Sequence, residues 1–474
     1  MIWLHLFGHI LFVLLLGYYL IQNLQWYNYR LARVLLHHHA PWQHIVLFLL
    51  PFFAYLALRE WVWVIDIVYG SALWWWQRGI DKRLVFTARV KRFFALLLLF
   101  TLLLDFLCLA KCEGKIYFTL LPLILALSTS WLIERYLFAL FRKEAKKRLD
   151  SIDPTIVSIT ASYGKTSIKN FLYQLLEPDF KVYKTPRSVN TLAGILKDIN
   201  EELPQDTQVY ITEAGAREPG DIDQIVQFLQ PHYVVVGKVG PQHIEYFKSL
   251  ERIIATKLEI LRSKRLKRAI VWDELPVKED ERVVQFGQNI TNVKATLDGV
   301  EWDLKLDSQT YHFSAPVLGA FNALNIAAAV LVAKELGVRM EQLQERVRRL
   351  QSVEHRLQKI EAGGKLIIDD SFNGNLEGML SSFDLVRSYK GRKVIVTPGL
   401  VESDEASNER LAKGIDEVFD LVIITGRLNK DILTRHISKR TIMVEDKSKL
   451  QEILAANTKP GDLILFSNDA PSYM

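Results

Sequence analysis

Thr155-Ile156-Val157-Ser158-Ile159-Thr160-Ala161-Ser162-Tyr163-Gly164-Lys165-Thr166-Ser167 is the stretch on which the fold turns. The TIVSIT run carries no charge and is rich in β-branched residues, as befits a strand buried on both faces. From Thr166 to Leu176 the apolar residues recur at helical spacing. A strand, a tight turn and a helix in that order present backbone N–H groups at a helix N-terminus, where phosphate oxygens bind. Ala161, Ser162, Tyr163, Gly164, Lys165, Thr166 and Ser167 are therefore the expected nucleotide-binding residues. Lys165 supplies a point charge for the terminal phosphates, and the Thr166 hydroxyl is placed to hold Mg²⁺. Ala161 stands where such loops usually carry an early glycine, so the loop can follow its normal path only if φ at Ala161 is negative.

Downstream, the same grammar repeats. Strands are expected at 208–213 and 233–239 and a helix at 249–262. Segments 282–286, 292–297, 301–306 and 310–315 read as antiparallel additions, and a helix at 322–336 stops at Gly337. A second series follows: strand 365–369, helix 376–387, strand 393–397, helix 405–418, strand 421–425, helix 448–455 and strand 462–466. Such alternation predicts an α/β protein. A P-loop domain with a doubly wound parallel sheet would occupy 151–350, and a separate Rossmann-like domain 351–474.

Upstream, residues 1–150 differ in kind. The first 140 residues hold twelve Lys+Arg and six Asp+Glu, which accounts for the whole net charge of +6, and nine of the eleven tryptophans. The remaining 334 residues carry 47 of each sign, so the basic pI gives no support to nucleic-acid binding. The only cysteines, Cys108 and Cys112, lie in this block, which excludes a disulfide scaffold and a thiol nucleophile from the rest of the chain. Apolar stretches at 2–22, 43–58, 61–77, 93–110 and 116–140 predict four or five transmembrane helices. The basic loops at 23–42, 78–92 and 141–150 favour five, with the chain after 141 in the cytoplasm. Asp66, Asp105 and Glu134 fall in or beside these stretches and read as interhelical hydrogen bonding rather than as a transport pathway. His37-His38-His39 reads as a solvated juxtamembrane loop.

Two further constellations sit at the ends of the strands that follow the P-loop. One runs from Thr212-Glu213-Ala214-Gly215 to Gly220-Asp221-Ile222, the other from Val239-Gly240-Pro241-Gln242 to His243-Ile244-Glu245. A carboxylate and an imidazole beside a triphosphate are sensible partners for Mg²⁺, which prefers oxygen and keeps several waters. With the P-loop, these segments resemble the Mur ligases, the ATP-dependent amide-bond-forming family of peptidoglycan precursor synthesis. The resemblance continues through Ser249–Ile260, the loop Asn190-Thr191-Leu192-Ala193-Gly194, the stretch Leu318–Asn325, His355-Arg356, and Ile368-Asp369-Asp370-Ser371-Phe372-Asn373-Gly374-Asn375. It covers about 154–470.

Residue by residue, the resemblance implies that Lys165, His243, Lys257 and Arg356 are catalytic. Thr166, Glu213, His243 and a carbamylated Lys257 would hold metal, and Asn322, Asp370 and Asn373 would contact ATP. Asn190 and Thr191 would meet the acceptor. The implied cofactors are ATP and Mg²⁺, and the implied reaction joins D-alanyl-D-alanine to UDP-N-acetylmuramoyl-tripeptide through an acyl phosphate, at the inner face of a bacterial cytoplasmic membrane. This chain departs from the family pattern at Phe321 (usually histidine), at Thr191 (usually asparagine), and at its C-terminus. Its N-terminal helices stand where the family carries its UDP-sugar domain. Two alternatives stay open: a membrane ligase of another polymer, of the poly-γ-glutamate type, and an inactive nucleotide-binding scaffold that recruits other cell-wall synthesis proteins.

Overall fold

The computed structural model of the chain describes residues 2–27, 29–36, 40–80, 83–111, 118–186, 189–240, 247–372, 374–401 and 403–468. They form two compact units, Met1–Lys143 and Glu144–Met474.

The first unit is helical. Its main helices are Ile2–Trp26, Trp42–Ala57, Val62–Arg78, Ala88–Lys111 and the start of Leu120–Ile152. Three are long and apolar enough to cross a membrane: Trp3–Trp26, Ala88–Ala110 and Leu120–Ile152. Trp42–Ala57 and Val62–Arg78 are shorter, separated by a 3₁₀ turn at Arg59–Trp61. The first helix packs centrally, with Phe12, Val13 and Leu16 fully buried. Gly17 lets Leu97 and Leu123 approach its backbone, and Gly8 does the same for Val62, as small residues do between apolar helices. His9 Nδ1 lies 2.9 Å from Asp105 Oδ2, and Arg92 pairs with Glu134, so both carboxylates tie helices together. Asp66 is buried without a hydrogen bond among the described residues. Cys108 is buried. Cys112 and His37–His39 lie outside the described residues.

The second unit holds three sheets. The first has the order β2-β3-β1-β4-β5-β6, comprising β1 (Thr155–Thr160), β2 (Val182–Lys184), β3 (Val209–Glu213), β4 (Tyr233–Val236), β5 (Arg268–Trp272) and β6 (Val283–Phe286). Every pairing in it is parallel. β1 sits centrally and is buried at five of its six positions, which is why its sequence is uniformly apolar or small. The segment expected at 282–286 as an antiparallel addition is β6, which extends this sheet in parallel. Hydrophobic periodicity marks a strand but carries no information on its partner's direction, and that is the reason for the error. The other three such segments form a separate antiparallel sheet, β7 (Ile290–Thr296), β8 (Gly299–Leu306) and β9 (Gln309–Ala315).

The third sheet has the order β10-β11-β15-β12-β13-β14: β10 (Gln358–Ala362), β11 (Lys365–Asp370), β12 (Lys393–Thr397), β13 (Leu421–Thr425), β14 (Arg440–Val444) and β15 (Leu463–Ser467). Only β10 is antiparallel. Its core gathers Ile368, Phe383, Leu411, Ile415 and Phe419, with Phe383 and Phe419 meeting edge to face at 5.1 Å.

Candidate active site

The turn after β1 is built to stay open to a ligand. Ser162 N–H donates to Lys238 O at 2.9 Å, and Ser162 Oγ donates to Gly240 O at 3.0 Å, which pins the turn to the end of β4. Ala161 is fully buried against Gly237 and is not among the positive-φ residues, so it traces the path expected of it. Gly164 has φ +83, and a Cβ there would lie 2.3 Å from Asn325 Oδ1; no other residue fits. The helix Lys165–Leu176 then begins, and the N–H groups of its first turn have no intrahelical partner. Lys165 Nζ donates to Ala161 O at 2.6 Å and Ser162 O at 3.3 Å, curling over the turn. The Thr166 hydroxyl bonds no described residue, and Ser167 is buried in the first turn.

Glu213 is the last residue of β3 and 1% exposed. Two residues on, Gly215 N–H donates to Asn190 O at 2.8 Å, and the Asn190 side chain lies where a Cβ on Gly215 would go. Thr191, expected to meet substrate, is the N-cap of helix Leu192–Glu201, its hydroxyl accepting from Gly194 N–H at 3.2 Å. Asn322 Nδ2 donates to Leu318 O at 2.7 Å, and its Oδ1 accepts from Asn325 Nδ2 at 3.0 Å, which places the pair beside Gly164.

Lys257 lies on helix Leu250–Leu258, 5% exposed, with no hydrogen bond or ion pair among the described residues. Glu259 is itself buried, and its two oxygens accept from Gly220 N–H (2.8 Å) and Asp223 N–H (3.0 Å). His243 and Asn373 lie outside the described residues.

From the last domain come Arg356 and Asp370. Arg356 Nη1 donates to Phe372 O at 3.2 Å, and its guanidinium lies 4.4 Å from the Phe372 ring centre. The flanking residues His355 (φ +60) and Leu357 (φ +51) are both left-handed, a backbone strain that persists only where surroundings enforce it. His355 Nδ1 is 2.7 Å from Asp369 Oδ2, and Ser371 N–H donates to Asp369 Oδ1 at 3.1 Å. Leu357 is fully buried in the C-terminal core.

The charges of these side chains act on one another. Burial pushes the Lys165 ammonium down to about 8; Glu213 opposes this and Arg356 adds to it. Burial holds Lys257 well below the ordinary lysine range, and the charge of Lys165 lowers it further. Burial also lowers the Arg356 guanidinium, against the pull of Asp370 and Glu213. Asp370 is pushed up to about 6 by burial, with Arg356 and a Leu357 backbone hydrogen bond opposing and Asp369 adding. The charges thus link in sequence: Lys257 to Lys165, Lys165 to Glu213 and Arg356, and Arg356 to Asp370.

No group of three or more His, Cys, Asp or Glu side chains gathers among the described residues. The donors present still suit Mg²⁺. Among the described residues Glu213 pairs with one lysine and the Thr166 hydroxyl bonds none, and a carbamate on Lys257 would add hard oxygens.

One residue here escaped the sequence reading. Lys169, one turn beyond Lys165, is 1% exposed, with Nζ 2.8 Å from Glu213 Oε1. Its signal was a charge on the apolar face of the helix, between Ile168 and Phe171.

A P-loop parallel sheet followed by a Rossmann-like sheet, with one site fed by both, defines a two-domain nucleotide-binding α/β protein. Two family models match it, the Mur ligase middle domain over residues 159–333 and the Mur ligase glutamate ligase domain over 355–468, together more than half of the chain. The chain belongs to the Mur ligases. It is 26% identical over 344 residues to the UDP-N-acetylmuramoyl-tripeptide–D-alanyl-D-alanine ligase of Bacillus subtilis, covering 68% of this chain and 74% of that enzyme. It is 25% identical over 295 residues to the enzyme of the same name from Borreliella burgdorferi, and spans 63% of that enzyme's length. Among solved structures it superposes on the MurF ligase of Thermotoga maritima in complex with ADP, with a TM-score of 0.61 and 26% identity over 70% of this chain and 80% of that one. A pseudomurein peptide ligase type C from Methanothermus fervidus shares the fold, with a TM-score of 0.54 at 16% identity.

Proposed function

We propose that this chain is an ATP-dependent amide ligase that joins D-alanyl-D-alanine to UDP-N-acetylmuramoyl-tripeptide, tethered by its N-terminal helices to the inner face of a bacterial cytoplasmic membrane. The observation that carries this reading is the convergence of Lys165, Glu213 and Lys257 with Arg356 and Asp370 from the last domain. The reaction named for the relatives needs such a meeting of cations and carboxylates around a triphosphate.

Lys165 and the first-turn amides of its helix bind the β- and γ-phosphates, and Asn322 lies beside the loop for the adenine end. Thr166, Glu213, His243 and a carbamylated Lys257 would hold Mg²⁺, which when bound neutralises phosphate charge. Lys257 suits carbamylation because burial favours its uncharged amine, the form that attacks CO₂: a nitrogen–carbon bond forms and one proton leaves. The acceptor's terminal carboxylate, positioned beside Asn190, attacks the γ-phosphorus. An oxygen–phosphorus bond forms as the bond to ADP breaks, giving an acyl phosphate. The amine of D-alanyl-D-alanine then attacks the acyl carbon, phosphate leaves with the bonding pair, and the amine nitrogen loses its proton to water. No covalent enzyme intermediate is required. Arg356, within the field of Asp370 and Glu213, neutralises charge on the transferred group, and alignment of the two reactants supplies the rest.

Three long apolar helices and outward-facing Trp3, Trp75, Phe106 and Trp131 support a membrane tether. Purified protein should release phosphate from ATP only when both UDP-N-acetylmuramoyl-tripeptide and D-alanyl-D-alanine are present. Lys165→Ala should lower that rate by about 10²–10³-fold. Equal turnover with glutamate in place of the dipeptide would reject the assignment and favour the poly-γ-glutamate type of reaction.

A further inference from the structure

We infer that Lys169 is a positioning residue that holds one oxygen of Glu213 and so sets the affinity of the nucleotide site for its divalent ion. The inference rests on the reading of Glu213 as a metal ligand.

Lys169 is on the core side of the helix that begins at Lys165, with Ile168, Phe171 and Leu172 buried around it. A lone ammonium there would be costly, and a lone carboxylate at Glu213 equally so. The two side chains, each 1% exposed, resolve this by pairing at 2.8 Å. The ammonium is itself anchored, since Lys169 Nζ donates to Thr185 O at 2.7 Å, just past the end of β2. It cannot follow the carboxylate if that group swings.

Glu213 Oε1 is thus sealed from solvent and committed to a cation behind the sheet edge. The second oxygen would then be the one available to a metal, on a carboxylate whose charge already reaches Lys165 and Arg356. A carboxylate whose orientation is fixed from behind binds a metal more tightly than one free to rotate or to take up a proton.

The test measures metal binding, with no reliance on turnover. Full-length protein in detergent is titrated with Mn²⁺ in the presence of ADP, followed by electron paramagnetic resonance, and with ADP alone in chelator, followed by calorimetry. Lys169→Met keeps the length and removes the charge. It should weaken Mn²⁺ binding by about 10–100-fold while metal-free ADP affinity changes less than about threefold. Lys169→Gln, which can still donate to Thr185 O, carries the same expectation if the methionine variant does not fold. The double variant Lys169→Met with Glu213→Gln removes both charges; it should regain thermal stability yet leave Mn²⁺ binding weak. Wild-type Mn²⁺ affinity in Lys169→Met overturns the inference when Glu213→Gln has lost it. Wild-type Mn²⁺ affinity in Glu213→Gln overturns the reading of Glu213 itself, and the inference with it.

Discussion

Two groups in the site titrate near neutrality, from opposite directions, and both for the same reason. Burial favours the uncharged form of each, bringing Lys165 down to about 8 and Asp370 up to about 6. ATP binding needs the lysine charged, and Arg356 is best held when Asp370 is charged. The pH profile of kcat/KM for ATP should therefore be a bell with limbs near pH 6 and pH 8, since that ratio reports the free enzyme. Stability follows the acid group with the reverse sign. An unfolded aspartate titrates near 3.9. Between about pH 4 and pH 6 the folded chain thus holds the extra proton, and the Asp370 contribution to stability falls as pH rises through that window. Asp370→Asn should abolish the acid limb of kcat/KM and flatten the melting temperature across the same range. An acid limb that survives this substitution would remove Asp370 from the site. Lys169 shows what the sequence conveyed only in part at this scale, a charge on an apolar helix face without the partner that explains it. A lysine on a helix reads as solvated until the fold places a carboxylate behind it.

At the scale of elements, the P-loop turn is fixed by two positions with opposite demands. Gly164 is left-handed and crowded by Asn325, whereas Ala161 is buried with an ordinary backbone. Gly164→Ala should cost about 1–2 kcal/mol from backbone conformation alone. It should also push Asn325 off Asn322, weakening ADP binding more than tenfold by calorimetry. Ala161→Gly should cost no more than about 1 kcal/mol and leave ADP affinity within about threefold. Equal effects from the two would mean that the turn is not held as described. Much of this architecture was legible because the strands are fully buried. The runs at 393–397 and 421–425, and the helices at 376–387 and 405–418, have the bounds their patterning gives. The edge strands β2, β10 and β14 were not read, since edge strands are short and half-exposed and carry little pattern, and β5 was missed although it is interior and buried at four of its five positions. Arg356 and Asp370 became site residues through resemblance alone. Nothing in local spacing says that residues more than a hundred positions from the P-loop return to it.

Across the whole molecule, charge and apolar surface divide sharply. The excess of positive charge and the apolar helices lie in the first unit, and the balanced α/β body in the second. Helix Leu120–Ile152 runs through the boundary at Lys143, and its last turns belong to the body. Ala145 and Leu149 are buried there, and Arg148 donates to Asn200 O at 3.2 Å and Leu203 O at 2.6 Å. A division of labour in which the helices anchor and the body does chemistry makes a prediction that depends on where the chain is cut. The full chain should stay in the membrane pellet after an alkaline carbonate wash, because buried apolar helices are not released by charge disruption. A chain of residues 144–474 should be soluble and should bind ADP within about threefold of the full protein. One beginning at 153 should melt lower, since losing the buried Leu149 side chain alone forfeits about 1.5–3 kcal/mol. Release of the full chain by carbonate would reduce the helices to peripheral contact. Loss of ADP binding from 144–474 would mean that the helical unit contributes to the nucleotide site and is more than an anchor.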